Sequence, residues 1–173
     1  MVALAAHLQQ QARQQLSADE LEDWFDEFAH TQAGIRHILS SRNINTRNLL
    51  HTELENASFL VRDNADKFRF AHTSYFEYFL AEALIQALPD QQHLATLSRH
   101  TLSQETREFV CAIAQSNNTQ AELQQGINQI LCADTAAESR LFCLRMQQTL
   151  HPDHRLPEGA NLSGLDLLSL IHI

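Results

Sequence analysis

The chain has 173 residues, 44% of them hydrophobic and 19% charged, and a formal charge of −9. That is a globular rather than a disordered composition, long enough for one good core or two small domains, and its acidity argues against a nucleic-acid partner. With only four Gly and three Pro, helix should dominate; no apolar run approaches ~20 residues, so no membrane partner is expected.

Residues 1–15 have helical composition, with Ala5, Leu8, Ala12 and then Leu16 at helical spacing. Ser17-Ala18-Asp19-Glu20 is a capping-box pattern that opens a second helix with Leu21, Trp24, Phe25 and Phe28 on one face. Its acidic start, from Asp19 to Asp26, complements the helix dipole. Gly34 interrupts the pattern, and Ile35, Ile38 and Leu39 suggest a short third helix. A fourth, about 47–55, carries Leu49, Leu50 and Leu54 inward. It lies where a DNA-reading helix would sit in a winged-helix regulator, but Arg47 is offset by Glu53 and Glu55, which argues against DNA binding.

Ser58–Val61 and Phe68–Ala71 are short β-prone runs around the turn-rich Asp63-Asn64-Ala65-Asp66, predicting a β-hairpin. Ser74-Tyr75-Phe76-Glu77 is read as a second capping box, opening a helix to about Leu88 with Phe76, Phe79, Leu80, Ala83, Leu84 and Ala87 as its apolar face. The run from Phe68 to Leu80, F-R-F-A-H-T-S-Y-F-E-Y-F-L, resembles the end of the winged-helix segment in NACHT-type (STAND-class) signalling NTPases. Phe68, Phe70, His72, Ser74, Tyr75, Glu77, Tyr78 and Phe79 match that motif. On the residues alone His72 reads as a histidine at a strand-to-helix junction, hydrogen-bonded locally and packed under the next helix; the resemblance implies instead that it contacts the β-phosphate of ADP, held with Mg by an upstream ATP-binding lobe of a longer parent chain. Glu77, Tyr78 and Phe79 are expected to be architectural, with Glu77 closing the helix N-terminus.

Helices are predicted at about 91–99, 104–115, 119–132 and 135–151, stacked in the manner of a helical repeat. Thr101 with Gln104 fits a capping box better than Ser103 with Thr106. Cys111, Cys132 and Cys143 sit in apolar helical patterns without a C-x-x-C pair and are expected to be buried, reduced thiols of a cytoplasmic protein. His151-Pro152-Asp153-His154 is expected to be a solvated loop, not a metal site.

Beyond Leu156, the units Ala160-Asn161-Leu162-Ser163-Gly164 and Leu165-Asp166-Leu167-Leu168-Ser169 resemble a pentapeptide-repeat domain. That resemblance implies a β-helix start with Ala160, Leu162 and Leu167 inward, and a protein partner bound through the repeats. The tail Leu168–Ile173 resembles a translated sequencing adapter, so these six residues are expected not to be natural sequence.

The expected fold is mainly α, organised as a winged-helix-like module at 1–88, a helical segment at 89–155 and the start of a repeat region at 156–173. No G-x-x-x-x-G-K-[ST], G-x-S-x-G or H-E-x-x-H motif occurs, so catalysis by this chain alone is not expected. Together the resemblances imply the regulatory part of a nucleotide-switched signalling NTPase of a kind used in bacterial defence. The alternative is a stand-alone helical adaptor with pentapeptide repeats and no nucleotide.

Overall fold

The structure, a computed structural model, describes residues 1–42, 45–56, 59–150 and 156–165. Among these the chain is mainly helical, with nine α-helices and one small antiparallel sheet. Contacts group the chain as two units, Arg13–Tyr75 and Met1–Ala12 with Phe76–Ile173. Among the described residues, no helix is long and apolar enough to cross a membrane.

Helix α1 (Val2–Gln10) stops short of the expected length. Ala12 turns to φ 53, and its amide bonds back to the Gln9 carbonyl. Leu16 is therefore a strand residue, in β1 (Gln15–Ser17), not part of a helical stripe. It is buried all the same, opposite Phe68. A three-residue strand is too short to display alternation, so burial alone does not tell it from a helix turn.

The capping box at the start of α2 (Ala18–Thr31) forms as expected. The Ser17 hydroxyl accepts from the Glu20 amide at 3.2 Å, and Glu20 accepts from the Ser17 amide at 2.7 Å. Arg13 adds two parallel bonds to the same carboxylate, at 2.8 and 2.9 Å. On the apolar face Leu21 and Ala29 are buried, whereas Trp24, Phe25 and Phe28 are only half-buried. Trp24 and Phe28 stack on each other, 5.4 Å between centroids. In α3 (Ala33–Arg42) Gly34 lies within the first turn and interrupts nothing. α4 (Thr46–Asn56) buries Leu50, and Thr46 donates to Asp26 at 2.6 Å.

The hairpin consists of β2 (Leu60–Arg62) and β3 (Lys67–Phe70), paired Leu60↔Phe70 and Arg62↔Phe68. The Asp63 carboxylate organises the turn by accepting from the amides of Ala65 and Lys67. Asp66 takes φ 62, a conformation Asp tolerates better than most residues, and pairs with Arg62. Sheet order is β1-β3-β2, so the predicted two strands become three. Leu16, Phe68, Phe70 and Leu60 share one face.

In the other unit, α5 (Thr73–Ala87) supplies Leu80, Ala81, Ala83, Leu84 and Ala87 to the core. Next come α6 (Gln91–Ser98), α7 (Gln104–Ser116), α8 (Gln120–Cys132) and α9 (Ala137–Leu150). These lie within about two residues of the predicted ranges. α9 packs on α6, α7 and α8, and α1 packs on α6. The shared core holds Leu94, Leu97, Val110, Ile127, Ile130, Leu131 and Met146. Of the thiols, Cys143 is buried as expected, Cys111 is half-buried, and Cys132 is exposed beside the Glu158 carbonyl. Its position at the last residue of α8 lets it escape the helix's apolar face.

Two outcomes follow from these contacts. The hydrogen bond from Arg13, then those from Ser17, hold the Glu20 carboxyl down to about 2, below its ordinary 4.5. A depressed folded-state value means stabilisation that is complete above pH 4.5 and lost as pH falls towards 2. Arg13→Ala should return the Glu20 midpoint towards 4.5, read by carboxyl-carbon NMR titration. Burial pushes the Cys143 thiol up to about 12 and raises Cys111 as well. Alkylation at pH 8 followed by mass spectrometry should therefore modify Cys132 first, Cys111 slowly, and Cys143 only after unfolding.

Candidate functional site

The last residue of β3, Phe70, is buried at 5% exposure, and two residues later His72 is exposed. Between them the Ala71 amide donates to the Phe59 carbonyl at 2.8 Å, which fixes the way the chain leaves the sheet. Helix α5 starts at Thr73, so His72 is its N-cap residue. The imidazole itself performs the capping: Nδ1 accepts from the Ser74 amide at 3.1 Å and lies 3.0 Å from the Ser74 hydroxyl. With Nδ1 accepting, the proton of the neutral ring sits on Nε2. That N–H makes no other bond among the described residues. His72 thus presents one oriented donor from an exposed side chain.

The expected Ser74–Glu77 capping box does not form. Ser74 stands two residues past the cap position, which the histidine has taken. Glu77 is instead buried, at 8% exposure, and accepts from the Ser103 hydroxyl at 2.8 Å. Ser103 is itself the N-cap of α7 and accepts from the Thr106 amide at 3.0 Å, displacing the expected Thr101–Gln104 pairing. Its one proton goes to Glu77, so the Thr106 hydroxyl, 2.9 Å away, is the donor between those two. Ser103 accepts from Thr106 and donates to Glu77, an arrangement no local motif reveals.

Beside His72, Tyr75 stands edge-on at 6.5 Å, and Phe59 meets Tyr75 edge-on at 5.0 Å. Phe59, Val61 and Tyr75 are between 37% and 40% exposed, forming an apolar rim within the Arg13–Tyr75 unit. Sequence reasoning placed Phe59 in a strand run, and only the hairpin register shows it next to Tyr75. Tyr78, 38% exposed, donates to Glu82 at 3.1 Å and packs edge-on against Phe79 and Phe109. The hydrogen bond to Glu82 raises the Tyr78 phenol above its ordinary value. Phe79 is half-buried.

Near the other end, residues 156–165 make two turns. The Ala160 amide donates to Pro157, and the Leu165 amide to Leu162. Their third residues, Gly159 and Gly164, have φ 84 and φ 71, which an L side chain would resist. The turns are tied down by the Asn161 amide on the Leu131 carbonyl at 2.7 Å and by Arg140 on the Ser163 carbonyl at 2.8 Å. Ala160 and Leu162 are half-buried. Leu167 and the tail 168–173 lie outside the described residues, as does 151–155. Among the described residues no group of three His, Cys, Asp or Glu could hold a metal.

No protein-family model, curated protein or solved structure matches the chain.

The cap and the outward donor of His72 can be separated. His72→Ala should lower stability by about 1 kcal/mol, the scale of losing an N-cap, whereas His72→Asn retains a capping oxygen and most of the stability. Urea denaturation of the two variants checks this.

Proposed function

We propose that this chain is the regulatory, non-catalytic part of a NACHT-like signalling NTPase. The Arg13–Tyr75 unit acts as a winged-helix-like module that senses nucleotide state, and the residues from 156 onward begin a pentapeptide-repeat surface for a protein partner. The carrying observation is His72, an exposed imidazole at the hairpin's exit whose Nδ1 is committed to its own helix and whose Nε2–H remains to donate. Such a donor suits an anionic oxygen because it bonds without bringing a full charge into the site. In the parent, the Phe59–Tyr75 rim would meet the ATP-binding lobe, which supplies the Walker residues and Mg; those groups would hold ADP or ATP, and His72 would report the β-phosphate.

Two further features support the reading. A helix, a short strand, further helices and a hairpin, with the short strand paired to the second strand of the hairpin, is the order a winged helix follows. Here four helices precede the hairpin, three of them after β1, and α1 groups with the later helices, so the module departs from the simplest form. The two glycine turns are spaced five residues apart, the period of a pentapeptide coil. Such a protein would work in the cytoplasm, in bacterial defence signalling.

In the parent chain carrying the ATP-binding lobe, His72→Asn should lower retained ADP and raise basal activity while leaving stability near that of wild type. Nucleotide content after purification, read by chromatography, measures this. Unchanged ADP occupancy would instead favour an adaptor that needs no nucleotide.

A further inference from the structure

The two outer edges of the small sheet are not alike. Along β2 the Ala71 amide donates to the Phe59 carbonyl and the Asp63 amide to the Lys67 carbonyl, with Val61 opposite Arg69. The backbone groups of Phe59, Val61 and Asp63 therefore turn towards β3. Those of Leu60 and Arg62 turn the other way, and among the described residues they meet no hydrogen-bond partner. At the β1 edge the outward Ser17 amide is already taken by Glu20 at 2.7 Å, and Arg13 grips the same carboxylate.

An open edge recruits another strand unless proline, a bulge or a bare charge blocks it. β2 has no proline, and its register against β3 runs on without a bulge. Its single charge, Arg62, is paired with Asp66 and lies over the Phe68 ring, 5.6 Å from the centroid. Val61, on the outer face of the sheet, is 37% exposed.

The strand that fits this edge best is a second copy of β2. The outward groups stand one residue to either side of Val61, so an antiparallel copy related by a two-fold axis through Val61 is in register with it. Each Leu60 then exchanges both backbone bonds with the partner's Arg62, and Val61 meets the partner's Val61 as a close, non-hydrogen-bonded pair. The two Arg62 side chains come diagonal to each other, each neutralised by the Asp66 of its own chain. Charge favours a second copy here over other surfaces. From Phe59 to His72 the chain carries Arg62, Lys67 and Arg69 against Asp63 and Asp66, a net +1, whereas the whole chain is at −9. Two acidic copies meeting through this hairpin repel each other least.

We propose that β2 is a self-association edge, through which two copies of the chain join their sheets antiparallel about Val61. The contact is small, so the dimer is weak and reversible. It goes beyond the His72 reading, does not rest on it, and needs no nucleotide.

Sedimentation equilibrium of the whole chain without nucleotide, from micromolar to millimolar protein, tests this. A reversible monomer–dimer equilibrium is expected. Arg62→Pro removes the outward N–H without touching the β3 ladder. It should weaken the dimer roughly tenfold relative to Arg62→Ala, which loses the same side-chain contacts but keeps the N–H. Independently, Val61→Cys in a Cys132→Ser background should form a disulfide-linked dimer under mild oxidation, because a non-hydrogen-bonded antiparallel pair is close enough to bridge. Arg69→Cys, on the same face but one strand further from the axis, should not. A chain that stays monomeric throughout would overturn the proposal and leave the edge to a strand of a different protein. Equal association of the Arg62→Pro and Arg62→Ala variants, or cross-linking no faster at 61 than at 69, would overturn it as well.

Discussion

The small sheet depends on β3. Both β1 and β2 pair with it and with no other strand, so Lys67–Phe70 carries every ladder in the sheet. Two short strands alone are marginal in water, and the third strand gives the open edge of β3 a partner. It also brings Leu16 opposite Phe68, so that one face of three short strands is apolar enough to cover α2. The same strand sets the position of His72. Phe70 is anchored inward, and the next amide is bonded to Phe59. The imidazole then has little choice but to stand at the start of the helix that follows.

A different constraint governs the other unit, where three polar side chains withdrawn from water tie down loops or helix ends. Gln9 holds the end of α6, Glu77 the cap of α7, and Arg140 the turn at Ser163. Leaving any such group unpaired would cost about 1–3 kcal/mol, so the partners fix the loops as firmly as apolar packing fixes the helices. Arg107 follows the rule with one nitrogen and breaks it with another. It shares that state with Arg140 Nε and Nη1 and the Ser139 hydroxyl, which are buried in the same unit without a hydrogen-bond partner.

Much of this architecture was legible in the chain. The Ser17–Glu20 box, the turn at 63–66 and the four later helices all follow from local signals: a hydroxyl three residues before a carboxylate, adjacent turn formers, apolar residues at helical period. Where the reading failed, the outcome was decided by groups distant in sequence. Ser74 and Glu77 have the spacing of a capping box, but His72 is better placed for the cap and Ser103, 26 residues from Glu77, claims the carboxylate. Cys132 sits in an apolar pattern yet faces outward, because that pattern ends with its helix.

The sequence by itself determined where helices and the hairpin form and that His72 stands at a strand-to-helix junction, because capping, turn formation and amphipathic period act within a few residues. Only the tertiary structure decided that Leu16 would be a strand and which nitrogen of His72 would be left to donate. Those outcomes depend on partners many residues away in the chain. Proximity of that kind is created by packing the apolar faces together, and no local rule encodes it.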